Sequence, residues 1–105
     1  MACQFLINKG HTILETNYRS GQGEIDIISR DGSILVFSEI KSRSGYAFGF
    51  PEEAVHQRKQ QRLKQAAMAY LETGDSEQPI RFDVIAILLK PGQRTEIVHF
   101  EDAFY

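Results

Sequence analysis

The chain has almost no cysteine. Cys3 is the only one in 105 residues, so no internal disulfide can form, and it reads as a packing residue rather than a metal ligand. Long apolar runs are also missing. Nothing approaches the ~18 residues that a membrane span needs. The N-terminus has no basic segment leading into an apolar stretch and a small-residue cleavage site, so no secretion signal is read there. These absences point to a cytoplasmic protein with no membrane partner. Excess positive charge is lacking too. The net charge is −2 and the pI about 5.9, which argues against a general nucleic-acid binder. No repeat, low-complexity tract or linker interrupts the chain. There is no phosphate-cradling glycine-rich loop and no serine or cysteine nucleophile constellation. His56 and His99 lack metal-ligand spacing with each other or with Cys3, so no zinc site is expected.

What is present is an ordinary globular composition, 42% hydrophobic and 25% charged. The length suits a single domain over residues 1–105. Charge is unevenly spread. Residues 41–64 hold six bases (Lys41, Arg43, Arg58, Lys59, Arg62, Lys64) against two acids, whereas residues 65–105 hold three bases against seven acids. A polyanion would be drawn to one side only. A merely solvated basic helix face is the plainer alternative.

Ala2 to Asn8 reads as the tail of a helix stopped by Gly10. Residues 12–18 read as a strand. In residues 23–43, two β-rich segments flank Asp31-Gly32, a hairpin signal. With Asp31 and Gly32 as the two loop residues, Ile28 would face Leu35, Asp26 would face Phe37 and Glu24 would face Glu39. Alternation then puts Ile25, Ile27, Ile34, Val36 and Ile40 on an apolar core face. The other face carries Ile28, Leu35 and Phe37 near the turn, and Glu24, Asp26, Glu39 and Lys41 farther away. Residues 51–72 read as a helix, with Pro51 in its first turn and Gly74 past its end. Residues 80–89 are apolar on both faces over most of their length, as in a central strand. Residues 95–100 form a last strand. The strands on either side of the long helix should be parallel, joined by a right-handed crossover.

Three carboxylates on one face of a hairpin repel one another. A divalent cation between them would explain the arrangement. Mg²⁺ is typically held by one or two carboxylates together with waters and phosphate oxygens. Asp26, Glu39 and Glu24 are therefore the candidate ligands for Mg²⁺ or Mn²⁺. Lys41, two residues beyond Glu39, returns to the same face. There it could hold an attacking water or neutralise charge on a phosphate. The plainer alternative is a strand that alternates Glu and Lys for solubility. On the helix, Val55, Lys59, Arg62, Ala66 and Tyr70 form one stripe, whose C-terminal half joins Leu63, Ala67 and Leu71 in an apolar face. Lys59 and Arg62 should reach over the sheet edge, either towards the carboxylates or a bound phosphate, or into a simple salt link with Glu24 or Glu39. Arg43, Arg58 and Lys64 are candidate backbone-phosphate contacts. In the loop over residues 44–51, Phe50 should close the core and Tyr46 is a candidate for stacking on a base.

The segments GEIDII, LVFSEIKSR, PEEAVHQRKQQRLKQAAMAYL, RFDVIAI and IVHFEDAF, in that order, resemble the YraN-like family. That group is assigned to the PD-(D/E)xK nuclease superfamily and is similar to archaeal Holliday-junction resolvases. The resemblance implies an α/β fold with a restriction-endonuclease-like αβββαβ core: a mixed sheet with a hairpin meander and a crossover helix. It implies a divalent-metal-dependent endonuclease acting on DNA, branched or single-stranded. Asp26 would be the motif aspartate, Glu39 the second acid and Lys41 the motif lysine; Lys59 and Arg62 fall on the family's K-x-x-R helix positions. A homodimer follows by analogy. Ile25 stands where other branches carry proline. The resemblance starts inside the family's first helix, which reads as shortened here, and no acid occurs between Met1 and Asn8. A non-catalytic nucleic-acid-binding module on the same scaffold is the alternative function, and a protein-interaction domain is a third.

Overall fold

A computed structural model describes residues 1–21, 23–44, 57–75, 77–89, 92 and 94–103. The order is α1 (Ala2–Asn8), β1 (Thr12–Ser20), β2 (Gly23–Asp31), β3 (Ile34–Ser44), α2 (Gln57–Leu71), β4 (Ile80–Leu89) and β5 (Glu96–Phe100). The fold is α/β, with one five-stranded mixed sheet in sequence order. β3 and β4, on either side of α2 in the chain, pair in parallel as expected, and every other neighbouring pair is antiparallel. The expected helix start at Pro51 lies outside the described residues.

α1 is too short to persist alone. It holds because Leu6 is fully buried against Ile27 and Ile85 of the sheet. Its end is built by Gly10 at φ +96°. There the Gly10 N–H donates to Ile7 O and the His11 N–H to Leu6 O, each at 2.9 Å. That paired closure is the Schellman arrangement, for which glycine has no Cβ penalty. It turns the chain so that His11 enters the interior.

The opposite face of the sheet is covered by α2. Leu63, Ala66, Ala67 and Leu71 pack on Ile25, Ile28, Leu35, Phe37, Phe82 and Val84. Phe37 stacks on Phe82 at 5.6 Å between centroids, and Tyr70 meets Phe37 and Tyr18 edge-on at 6.2 and 5.3 Å. These contacts anchor the C-terminal half of the helix. Its approach to β2 depends on Gly23. A Cβ there would lie 2.4 Å from the Arg62 carbonyl oxygen and 2.8 Å from the Ala66 Cβ. Glycine thus lets helix backbone rest on strand backbone.

The hairpin register differs from the expected one by two positions. Asp31 pairs with Ile34, and Ile28 faces Phe37 rather than Leu35. The two loop residues are Gly32 and Ser33. Gly32 takes φ +61° at the first loop position, where a type II′ turn calls for glycine. An even slip leaves each side chain on its own face. Ile25 departs from its expected face. It packs on the α2 side with Ile28, while Ile27 packs on the α1 side. Two residues, Asp26 and Ile27, separate that pair, so the alternation slips once at Asp26.

Candidate functional site

The slip falls where the β2–β3 ladder ends. Regular pairing reaches Ile27 and Ser38. One step farther stand Asp26 and Glu39. The next backbone donor, the Ile40 N–H, donates to the Asp26 carboxylate Oδ2 at 2.8 Å. A side chain thus takes a place that a regular ladder gives to a backbone carbonyl. Glu24, Asp26, Glu39, Ile40 and Lys59 line a pocket of about 240 Å³ at this opening.

Glu39 is only 4% exposed. Its Oε1 faces two ammonium groups: Lys59 Nζ in direct contact and Lys41 Nζ at 3.7 Å. Burial nevertheless pushes the Glu39 carboxyl above its ordinary range, and the nearby Asp26 charge adds to the rise. The hydrogen bond and charge of Lys59, with Lys41, offset only part of it. For Lys59, burial acts to lower the pKa. Its bond to Glu39 and the charges of Glu39 and Asp26 outweigh that and hold the ammonium more firmly than usual.

Asp26, Glu39 and Lys41 are therefore brought together. Glu24 lines the same pocket, but it is exposed and leans on Arg19 at 3.8 Å. The register set Glu24 opposite Glu39 in expectation; Asp26 holds that place instead. Lys59 makes the salt link to Glu39 that was one of its two readings. Arg58 and Arg62 are exposed on α2, and Lys64 is half-buried there, bordering a shallow cleft with Gln61, Gln65 and Met68. Arg43 belongs to β3, while its side chain, Tyr46, Phe50 and His56 lie outside the described residues. Cys3 packs half-buried against the α1-side cluster. Among the described residues, no three His, Cys, Asp or Glu side chains are grouped to hold a metal.

The α1 face of the sheet carries a second polar cluster that the sequence reading did not single out. Asp83 is fully buried and accepts from Arg81 Nε and Nη2 (2.8 and 2.9 Å), His99 Nε2 (2.7 Å) and the Asp102 N–H (3.0 Å). Burial alone would raise its pKa; the donors from His99, Arg81 and Asp102 outweigh burial and hold it low. Lys9 Nζ lies 2.7 Å from His99 Nδ1, and an ammonium can only donate, which leaves Nε2 to donate to Asp83. Nearby, His11 Nδ1 meets Ser29 Oγ at 2.9 Å, and its Nε2 lies 3.6 Å from Asp31. Ser–His–Asp is the order of a nucleophilic triad. Ser29, however, is fully buried, so no substrate reaches its oxygen. The available signal was Arg81-x-Asp83 on a strand otherwise read as apolar on both faces, since residues two apart share a face.

The family model described as "Uncharacterised protein family UPF0102" matches residues 1–87. The UPF0102 protein of Thermodesulfovibrio yellowstonii is 46% identical over 105 residues, covering 100% of this chain and 89% of the relative. That of Flavobacterium psychrophilum is 44% identical over 105 residues, covering 100% and 87%. That of Rhodococcus jostii is 40% identical over 105 residues, covering 99% and 89%. With a family model spanning most of its length and relatives this similar from end to end, the chain belongs to the UPF0102 family.

Proposed function

We propose that the chain is a divalent-metal-dependent endonuclease with a restriction-endonuclease-like core, hydrolysing phosphodiester bonds in DNA. One observation carries this reading. Two carboxylates and two lysines from β2, β3 and α2 converge where the sheet opens. A salt bridge between Glu39 and Lys59 needs no opening and no second acid beside it.

The donor set fits a small hard cation. Two carboxylates are the number with which Mg²⁺ is typically held, the other positions going to water and phosphate oxygens. Asp26 and Glu39 would hold it, and Glu24 lies close enough to the opening to act through water. When bound, such a cation supplies Lewis acidity towards the phosphate and a more acidic water. Lys41 is 15% exposed and fixed on β3, so its ammonium is aimed before substrate arrives. It neutralises charge that grows on the non-bridging phosphate oxygens as water adds to phosphorus and the ester oxygen leaves. The exposed bases on the first turns of α2, Arg58 and Arg62, supply counter-charge for the neighbouring phosphates.

The test is cleavage of branched, single-stranded and duplex DNA with Mg²⁺ or Mn²⁺. Asp26→Ala and Glu39→Ala are expected to lower the rate at least ~100-fold, the size typical of lost electrostatic stabilisation, with unchanged circular dichroism. Equal cleavage by either variant would refute the assignment. DNA binding that survives chelation, without cleavage of any substrate, would replace the enzyme by a binding module.

A further inference from the structure

Two lysines share one oxygen of Glu39, yet they are held differently. Lys41 comes from the same strand, two residues away, and its side chain is mostly buried. Lys59 comes from the helix, and its side chain is 47% exposed. The Lys59 ammonium touches the carboxylate while about half of its side chain meets water, so of the two described lysines it is the one freer to leave the pocket.

Charge shows what leaving would accomplish. Asp26 and Glu39 contribute two negative charges, and Lys41 and Lys59 two positive ones. Glu24, the third carboxylate lining the pocket, is offset by Arg19 at 3.8 Å, so the pocket is balanced before any cation enters. A divalent cation entering beside Lys59 would meet a like charge at contact range and would find Glu39 Oε1 already engaged. If Lys59 withdraws to solvent, the cation faces two carboxylates and one lysine. The oxygen it needs is then released.

We propose that Lys59 is an internal competitor for the cation site: its ammonium and a divalent metal take the Asp26–Glu39 pocket in alternation, and metal entry releases Lys59 towards the solvent face of α2. This rests on the metal-dependent reading given above. It makes Lys59 a regulatory side chain rather than one more phosphate contact. Once displaced, it stands beside Arg58 and Arg62 on the first turns of α2. Metal loading would therefore add a positive charge to the surface where a nucleic-acid backbone would lie. Cation and polyanion binding become coupled through one side chain.

Binding of Mn²⁺ alone, followed by calorimetry on the intact chain, tests this without any cleavage assay. Lys59→Met keeps the length of the stem and removes the charge. It is expected to bind Mn²⁺ at least ~10-fold more tightly than wild type, which corresponds to ~1.4 kcal/mol. Lys59→Arg, which keeps the charge, should stay within a fewfold of wild type. Asp26→Asn should not bind. Independently, in the wild-type chain, Mn²⁺ should raise the rate at which an amine reagent labels Lys59, read by mass spectrometry, and leave Lys9 labelling unchanged. Equal or weaker Mn²⁺ binding by Lys59→Met, with Asp26→Asn still inactive in binding, would overturn the competitor and leave the metal site standing. Failure of wild type and both Lys59 variants to bind Mn²⁺ would overturn both. Binding by Lys59→Met where wild type shows none would support the competitor in its strongest form.

Discussion

Gly23 sets how closely α2 lies on β2, and replacing it with alanine should be felt at the pocket. The added Cβ would sit 2.4 Å from the Arg62 carbonyl oxygen, 2.8 Å from the Ala66 Cβ and 3.0 Å from the Ala66 nitrogen. Ordinary contact begins near 3.4 Å, so about 1 Å must be found. None of these atoms is the tip of a flexible side chain. The helix axis itself has to move, against an aromatic cluster that pins its far end. Overpacking of this kind costs ~1–3 kcal/mol, and Gly23→Ala should lose about that much in urea unfolding with an unchanged slope. Lys59 lies one turn before Arg62, so the same displacement draws its ammonium back from Glu39. Amine labelling of Lys59 should then speed up without added metal. The companion change Ala66→Gly removes the 2.8 Å clash but leaves the carbonyl clash. The double variant should therefore recover only part of the loss, with a coupling of ~0.5 kcal/mol or more. A loss below ~0.5 kcal/mol for Gly23→Ala, with Lys59 labelling unaltered, would refute the argument that backbone contact positions this side chain.

Two other perturbations follow from the charged clusters. Asp83→Ala strips the acceptor from Arg81 and His99 in a buried setting and should cost ~3–5 kcal/mol, the scale for breaking a buried pair; urea unfolding measures it, and a loss under ~1 kcal/mol would show that water replaces Asp83 freely. The pH dependence carries two opposite signs. Burial, partly opposed by Asp31, lowers His11 from 6.5, so the unfolded chain takes up its proton first and stability falls as pH drops below about 6.5. Glu39 is raised above 4.5, so the folded chain holds that proton longer and stability falls as pH rises through the interval above 4.5. Glu39→Gln should therefore gain on wild type as pH rises through that interval, whereas a His11→Asn variant should lose less than wild type below 6.5; unfolding midpoints at several pH values would show either sign to be wrong.

The elements were legible because each carries its own period and stop signals. Residues 80–89 were bounded correctly, since an apolar run of strand length between turn residues leaves little freedom. Gly10 marked the end of α1 for the same local reason. The hairpin register was not legible to the residue. Asp-Gly fits a turn with both residues in the loop, and it fits equally a turn that starts at the glycine; they differ at Asp31, which the first needs at positive φ and which does not take it here. The grouping of Asp26, Glu39 and Lys41 survived the error because a slip of two preserves sidedness. The slip at Asp26 itself could not be read, since nothing in IDI announces a missed alternation. Gly23 was also silent, because its role depends on a helix some forty residues away in sequence.

The Asp83 network and the Asp26–Glu39 pocket differ in how open their carboxylates are to a ligand. Each holds a buried carboxylate beside cations, Asp83 in one and Glu39 in the other, and composition alone would not rank them. They differ in how fully their oxygens are served. Both oxygens of Asp83 are taken by donors from three residues, the donors outweigh the cost of burial, and its pKa falls. A cation entering there would have to break bonds that hold β4 to β5 and to the turn after it. Glu39 is served mainly by lysines on one oxygen, burial outweighs their help, and its pKa rises. Its charge is carried at a net cost to the fold, beside a second acid and an opening wide enough for an ion. A cation seated at that opening would relieve the cost, and carboxyls perturbed in this way cluster at functional sites. The satisfied cluster therefore serves as structure and the under-served one as the candidate site, although the sequence offers histidines to the first and only common residues to the second.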